Sequence, residues 1–296
     1  MWRIIDISGE DYKIICSQEN FVALKDSEEK LRVHFSDINS IIIHSYSINI
    51  SGVLVQKLIE YNIPLIICDR AHNPCGMLIQ CFKHTEYGNR IQIQINVSKP
   101  MLKKAWKQII EAKITNQYKV LFSLNKKNEA EILKKYSNEV KSGDSTNREA
   151  SASRVYFQSL FDNFKRDSES NDIINSSLNY AYAVLRSNVA RAVVGAGLNP
   201  ALGIFHSHKH NYFCLVDDLM EPLRPFVDFY IKENYDKIKE HNSLNSETKK
   251  ILVGIIDKEF DYNGEMLNIL NISQRYVMSY INYLNKNIKK ILIPYL

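Results

Sequence analysis

Cysteine, proline, glycine and tryptophan are all scarce in this chain, at 5, 7, 10 and 2 residues among 296. The low glycine and proline exclude collagen-like, mucin-like and disordered low-complexity sequence. The cysteines are odd in number and lack CxxC spacing. Cys68, Cys81 and Cys214 sit in apolar neighbourhoods, so they read as reduced core residues rather than a disulfide framework. Long hydrophobic runs are missing too: stretches such as 40–43 and 63–68 fall far below the roughly 18 to 20 residues of a membrane helix, so no span is expected. The N-terminus opens on a strand-like Met1-Trp-Arg-Ile-Ile-Asp, without a basic stretch followed by an apolar segment, which points to the cytoplasm. A large excess of one charge is also absent. With 38 basic and 33 acidic residues the net charge is +5, too modest by itself to indicate nucleic acid.

What is present is a globular composition, 45% hydrophobic and 24% charged, in a length comfortable for two domains of unequal size. Residues 1–84 alternate short β-rich stretches with polar breaks every eight to twelve residues, which predicts a small, mostly antiparallel β domain with one helix near 51–61. Residues 85–98 read as a linker. From Pro100, well placed at a first helical position, helical periodicity dominates 99–296 and predicts a larger, all-helical domain. Expected helices cover about 100–123, 127–137, 147–165, 171–195, 218–237, 246–258 and 270–290. The fold class is therefore α+β. Charge is uneven along the chain: residues 83–148 carry 14 Lys and Arg against 6 Asp and Glu, leaving the remainder at −3. A basic block on helices is the footprint of a phosphate-binding surface, and equally of a solvated helix face.

Several groups of residues could carry chemistry. Cys68, His72, Cys75 and Cys81 lie close in sequence, but without paired knuckles, which argues against zinc. Gly195-Ala-Gly197 looks like the start of a dinucleotide loop, yet helix precedes it and Pro200 stands where the third glycine belongs, so it reads as a helix stop. Thr146 and Glu149 have capping-box spacing, and a cap is one reading of Glu149. The other follows from its position one turn before the inward stripe Ala152, Val155, Tyr156, Leu160 and Phe164, where a carboxylate wants a cation. Downstream, His206, His208 and His210 follow an apolar run. If 217–221 is helical, Asp217 or Asp218 shares a face with Glu221, although Pro222 and Pro225 can kink that segment. Oxygen ligands with one imidazole suit Mg²⁺ or Mn²⁺ better than zinc, and such an ion polarises a phosphoryl oxygen.

Taken together, Lys104-Ala-Trp106-Lys-Gln-Ile109-Ile-Glu-Ala-Lys113-Ile-Thr-Asn116-Gln117, Gly143-Asp144 with Glu149, Leu178-Asn179-Tyr180-Ala-Tyr182, Gly197-Leu-Asn-Pro200-Ala-Leu-Gly203-Ile-Phe-His206 and Asp218-Leu-Met-Glu221-Pro-Leu-Arg224-Pro resemble, in that order, the CRISPR-associated adaptation integrase, CRISPR-associated protein one, most closely its type II branch. The resemblance covers almost the whole chain. It implies a β-rich N-terminal domain, a helical catalytic domain, a homodimer, and assembly with the small second adaptation protein and other type II CRISPR proteins. It also implies a divalent metal, Mg²⁺ or Mn²⁺, and the insertion of short DNA fragments as new spacers at the repeat and leader DNA of a CRISPR array. Residue by residue, the metal ligands and catalytic groups fall on Glu149, His206 and Glu221, with Asp218 as an auxiliary acidic residue. The basic residues Lys103, Lys104, Lys107, Lys113, Arg148 and Arg224 are the expected DNA contacts. Two other readings stand beside strand transfer: a structure-selective endonuclease using water at the same site, and a non-catalytic architectural nucleic-acid binder.

Overall fold

A computed structural model describes residues 3–8, 10–68, 74–80, 84–161, 164–170 and 172–296. The chain divides into two compact units, Met1–His84 and Thr85–Leu296. It is α+β, with strands gathered at the N-terminus and helices dominating the rest.

The first unit contains β1 (Arg3–Ile7), β2 (Tyr12–Ser17), β3 (Asn20–Lys25), β4 (Glu28–His34), β5 (Ile38–Ile43), β6 (Ile48–Ile50), α1 (Gly52–Glu60), β7 (Leu65–Cys68) and β8 (Pro74–Leu78). One sheet has the order β4-β3-β2-β6. Its hairpins close in two-residue turns at Gln18-Glu19 and Asp26-Ser27, all four residues at positive φ, the geometry whose twist matches paired strands. The other sheet, β1-β5-β7-β8, corrects the expectation of mostly antiparallel pairing, because β1, β5 and β7 run parallel. The physical reason lies in β5. All six residues of Ile38–Ile43 are buried, and a strand covered on both faces favours a parallel neighbour reached through a crossover, here by way of α1. Ile14, Phe21, Phe35, Ile38, Leu54 and Leu58 form the centre of this unit's core. Of the cysteine and histidine cluster weighed above, His72 and Cys81 lie outside the described residues.

The second unit contains α2 (Tyr87–Asn96), α3 (Lys99–Ser123), α4 (Lys127–Asn138), α5 (Arg148–Leu160), α6 (Ile173–Gly195), α7 (Cys214–Met220), α8 (Arg224–Glu233), α9 (Tyr235–Lys239), α10 (Ser246–Val253), β9 (Glu259–Tyr262), β10 (Glu265–Asn268) and α11 (Ile269–Leu284). Two expectations change here. The stretch 85–98, expected as a linker, carries α2, and its buried Gln94 donates to the Asn199 carbonyl at 3.1 Å and accepts from the Asn199 amide at 2.8 Å. That pair of hydrogen bonds ties the segment to the helical unit. The unit is also not all-helical: β9 and β10 form a hairpin across Asn263-Gly264, both at positive φ, a turn that an Asn-Gly pair favours.

Helix α3 runs through the middle of this unit. Trp106, Ile109, Ile110, Ile114, Val120 and Leu121 are buried along it, and so are the polar Lys113, Asn116 and Gln117. Asn116 earns its burial: its amide donates to the carbonyls of Pro222 at 2.8 Å and Pro294 at 3.1 Å, and its oxygen accepts from the Leu296 amide at 3.1 Å. The single helix expected over 218–237 is instead α7, a 3₁₀ turn at Glu221–Leu223, and α8. Pro222 and Pro225 cause the break, since each lacks an amide hydrogen and is tolerated only in a first turn. No helix among the described residues is long and apolar enough to cross a membrane.

Candidate active site

The end of α7, the start of α5 and the middle of α3 bring together the residues with the strongest chemistry. The α5 end comes first. Asp144, in the loop ahead of the helix, accepts from the Arg148 amide at 2.9 Å through Oδ1 and from the Glu149 amide at 3.1 Å through Oδ2. Capping therefore falls to Asp144, and the Thr146–Glu149 capping box suggested by spacing is not what terminates the helix. The Glu149 carboxylate is left for another partner.

That partner is Lys113. Its ammonium donates to Glu149 Oε1 at 2.6 Å and to Glu221 Oε2 at 2.5 Å, with the Lys113 and Glu221 side chains 9% and 8% exposed and that of Glu149 26%. Burial opposes the charge on Lys113, but the Glu221 and Glu149 carboxylates outweigh it and hold the amine protonated above its ordinary range. Burial likewise opposes the Glu221 carboxylate, and Arg224 with Lys113 overcomes it, leaving the group ionised well below the usual carboxylate range. The Arg224 guanidinium donates to Glu221 Oε1 at 2.9 Å and lies 4.6 Å above the Tyr182 ring. The Tyr182 hydroxyl in turn donates to Asp228, whose carboxyl burial pushes up to about 7.

His206 is positioned by a different device. Asp218, fully buried, accepts from the amides of Ile204 at 2.6 Å, Phe205 at 2.8 Å and His206 at 3.3 Å, and bonds His206 Nδ1 at 2.5 Å. One carboxylate thus folds the loop and fixes the ring, leaving Nε2 free to face outward. Gly203 is required at the head of that loop, because a Cβ there would stand 2.2 Å from the His206 carbonyl oxygen. Trp106 on α3 stacks on Phe205 at 4.6 Å and meets the His206 ring edge-on at 5.6 Å. The Asp218 hydrogen bond raises the pKa of His206 against the effect of burial, with smaller contributions from Glu221 and Glu149.

The other anticipated groups are placed elsewhere. Asp217, the alternative partner for Glu221, pairs with Arg186 at 2.6 Å. His208 and His210 are exposed, their rings 5.6 Å apart. Of the six basic residues expected on a phosphate-tracking surface, Lys103 and Lys104 are exposed and Lys107 faces Glu111 at 3.4 Å. Arg148 pairs with Glu139 at 2.7 Å and packs over Tyr136. Lys113 and Arg224 depart from that surface: both are committed to the carboxylates of the site. Periodicity could have separated Lys113 from the others, since it shares an inward stripe with Ile109, Ile110 and Gln117. Asp144 as the cap carried no comparable signal, because its Gly143-Asp144 backbone at positive φ is legible only in three dimensions.

The donor chemistry fits a hard divalent cation: two carboxylates and one oriented imidazole, with an ammonium already drawn between the carboxylates. Among the described residues no three His, Cys, Asp or Glu side chains stand close enough to hold a metal ion together, so the set is not preassembled. A cleft of about 560 Å³ opens beside Glu221, with Lys113, Arg154, Arg166, Tyr182 and Arg224 also among its walls.

Residues 6–253 match the family described as CRISPR associated protein Cas1. A CRISPR-associated endonuclease Cas1 from Neisseria meningitidis serogroup C is 33% identical over 279 residues, covering 94% of this chain and 91% of the relative. One from Francisella tularensis subsp. novicida is 29% identical over 280 residues, with 86% and 88% covered. Among solved structures, a casposase bound to integration product has a TM-score of 0.80 at 20% identity, covering 98% of this chain and 92% of that one. A Cas1 protein from Thermotoga maritima has a TM-score of 0.76 at 16% identity, with 96% and 97% covered.

Proposed function

From the premise that the chain belongs to the Cas1 family, we propose that it is a metal-dependent DNA integrase that inserts short foreign DNA fragments as new spacers into a CRISPR array. The observation that carries this reading is the convergence of Glu149 and Glu221, from separate helical segments, on the Lys113 ammonium, with the field of both carboxylates felt by an imidazole that Asp218 holds. Glu149, Glu221 and His206 Nε2 would hold Mg²⁺ or Mn²⁺, which when bound polarises a phosphoryl oxygen and offsets charge developing in the transition state. The chain's own residues do the rest. Asp218 keeps Nδ1 of His206 engaged, so that the ring presents Nε2. Arg224 fixes the orientation of Glu221 from its other oxygen. Lys103, Lys104, Lys107 and Arg148 attract the phosphate backbone, and the cationic cleft wall admits DNA beside the carboxylates. A 3′-hydroxyl of the incoming fragment attacks a phosphodiester at the repeat boundary, and the leaving 3′-oxygen departs as one phosphodiester replaces another.

Joining two ends calls for two sites, so a homodimer working with the small second adaptation protein in the cytoplasm belongs to the proposal. Support for the second protein, though not for the dimer, comes from a chain of a Cas6-RT-Cas1–Cas2 complex, similar to this one with a TM-score of 0.75 over 96% of this chain and 35% of that one. Assignment to the type II branch, with its further CRISPR protein partners, is supported by the Neisseria meningitidis relative. The endonuclease name of the curated relatives favours one second reading, water as the nucleophile at the same site.

The test is a labelled duplex incubated with purified protein, its small partner, a supercoiled CRISPR plasmid and Mg²⁺ or Mn²⁺. Label joined to the plasmid supports integration. Cut strands without joining support the hydrolytic reading, and DNA binding without either product leaves only an architectural role.

A further inference from the structure

The wall of the cleft beside Glu221 includes a residue whose acceptor has no donor. Gln117 lines it together with Lys113, Glu221 and Arg224, is 2% exposed, and has its Oε1 buried without a hydrogen-bond partner. Such an atom costs free energy in every folded molecule unless some state of the protein satisfies it. Gln117 lies one helical turn beyond Lys113 on α3, so the two side chains are neighbours on one face, and both reach the same open volume.

We infer that Lys113 has two seats: between Glu149 and Glu221 when no divalent cation is bound, and turned into the cleft toward Gln117 Oε1 when one is. This rests on the metal reading above. An ammonium within 2.6 Å of both carboxylates and a dication shared by the same carboxylates repel each other strongly in a buried site, so both cannot occupy that point. Four single bonds let the lysine stem turn without moving α3, and Gln117 Oε1 supplies the hydrogen bond the ammonium would otherwise lose. Lys113 is thus a positioning residue. It keeps the Glu149 and Glu221 carboxylates in place and neutralised until metal arrives, then carries its charge further into a cleft that Arg154, Arg166 and Arg224 also line.

Variants at the two seats should move metal affinity in opposite directions. In calorimetry of the full chain with Mn²⁺ alone, Lys113→Met removes the competitor and should tighten binding on the order of tenfold. Gln117→Leu removes the second seat and should weaken it by about threefold. In the wild-type protein, acylation of Lys113 by an amine-reactive ester, read by mass spectrometry of its peptide, should rise at least about tenfold on Mn²⁺ binding, as the amine leaves its buried ion pairs. Equal or weaker Mn²⁺ binding by Lys113→Met, or unchanged acylation with Mn²⁺ bound, overturns the two-seat inference alone. The acylation arm decides the matter if Lys113→Met fails to fold. If Mn²⁺ does not bind the wild type, or binds Glu149→Gln and Glu221→Gln equally well, the metal reading falls and the inference with it.

Discussion

Two lysines in this protein make the same pair of contacts in different surroundings. In the N-terminal unit Lys57 reaches Glu19 at 2.7 Å and Glu60 at 3.1 Å with a quarter of its side chain in solvent. In the helical unit Lys113 reaches Glu149 at 2.6 Å and Glu221 at 2.5 Å with 9% exposed. The distances are alike, but solvent separates the two clusters. At the surface, water and salt screen the pair and offer each charge an alternative partner. Around Lys113 water is scarcer: Glu221 turns its other oxygen to Arg224 at 2.9 Å, Glu149 keeps 26% of its side chain in solvent, and a charge cluster kept there needs a reason other than stability. Chemistry at a phosphate is such a reason.

The largest expected effect lies in activity. Glu149→Ala, His206→Ala and Glu221→Ala should each lower strand joining at least about a hundredfold at matched folded protein, as expected when a group that meets developing charge is removed. Lys57→Met should not alter joining at all. A folded, active Glu149→Ala would reduce the Lys113 triad to a buried version of the surface pair.

Stability should separate the two lysines next. In metal-free buffer Lys113→Met leaves Glu221 to Arg224 and Glu149 to solvent, and should cost on the order of 2 kcal/mol by denaturant titration. Lys57→Met should leave the unfolding midpoint unchanged. Equal effects would mean that burial does not distinguish the two pairs.

A third kind of charge sharpens the contrast. Asp228 is buried against Tyr182, and burial pushes its carboxyl from an ordinary 3.8 up to about 7. Between those values the folded protein binds more protons than the unfolded chain, so stability falls as pH rises from about 4 to 7 and levels off above. Asp228→Asn should remove that fall, a difference of up to about 4 kcal/mol across the window. An identical slope in wild type and variant would show that Asp228 is ionised throughout, as Glu221 is. The smallest effect concerns the exposed lysines. Neutralising Lys103 and Lys104 should flatten log affinity for DNA against log salt by about 0.9 per lost phosphate contact, measured by fluorescence anisotropy.

Much of this was legible in the sequence. Helical periodicity located α3, α4 and α6 nearly to the residue, because long amphipathic stretches with polar loops between them leave little choice of period. The hairpin after α10 was missed although Asn263-Gly264 announced it: its strands are only four residues long, and short apolar runs do not distinguish strand from helix. The parallel pairing of β1, β5 and β7 was invisible for another reason, since strand neighbours are chosen by burial on both faces and not by local alternation. At the site, Glu149, His206 and Glu221 came through the family resemblance, while residue chemistry alone left both a cap and a ligand open for Glu149 and favoured the cap. For Lys113, periodicity marks an inward position on α3 but not its partners. Its role depends on α5 and the Glu221 turn arriving beside α3, which no local pattern encodes.

The central claim is that Glu221 is held for chemistry and not for packing, and Glu221→Gln tests it most directly, since the amide keeps the volume and one oxygen and removes only the charge. In the labelled-duplex joining assay with Mn²⁺ and the small partner protein, wild type should yield label on the plasmid. Glu221→Gln, folded and still bound to DNA, should yield none. Joining by Glu221→Gln at the wild-type rate would contradict the account.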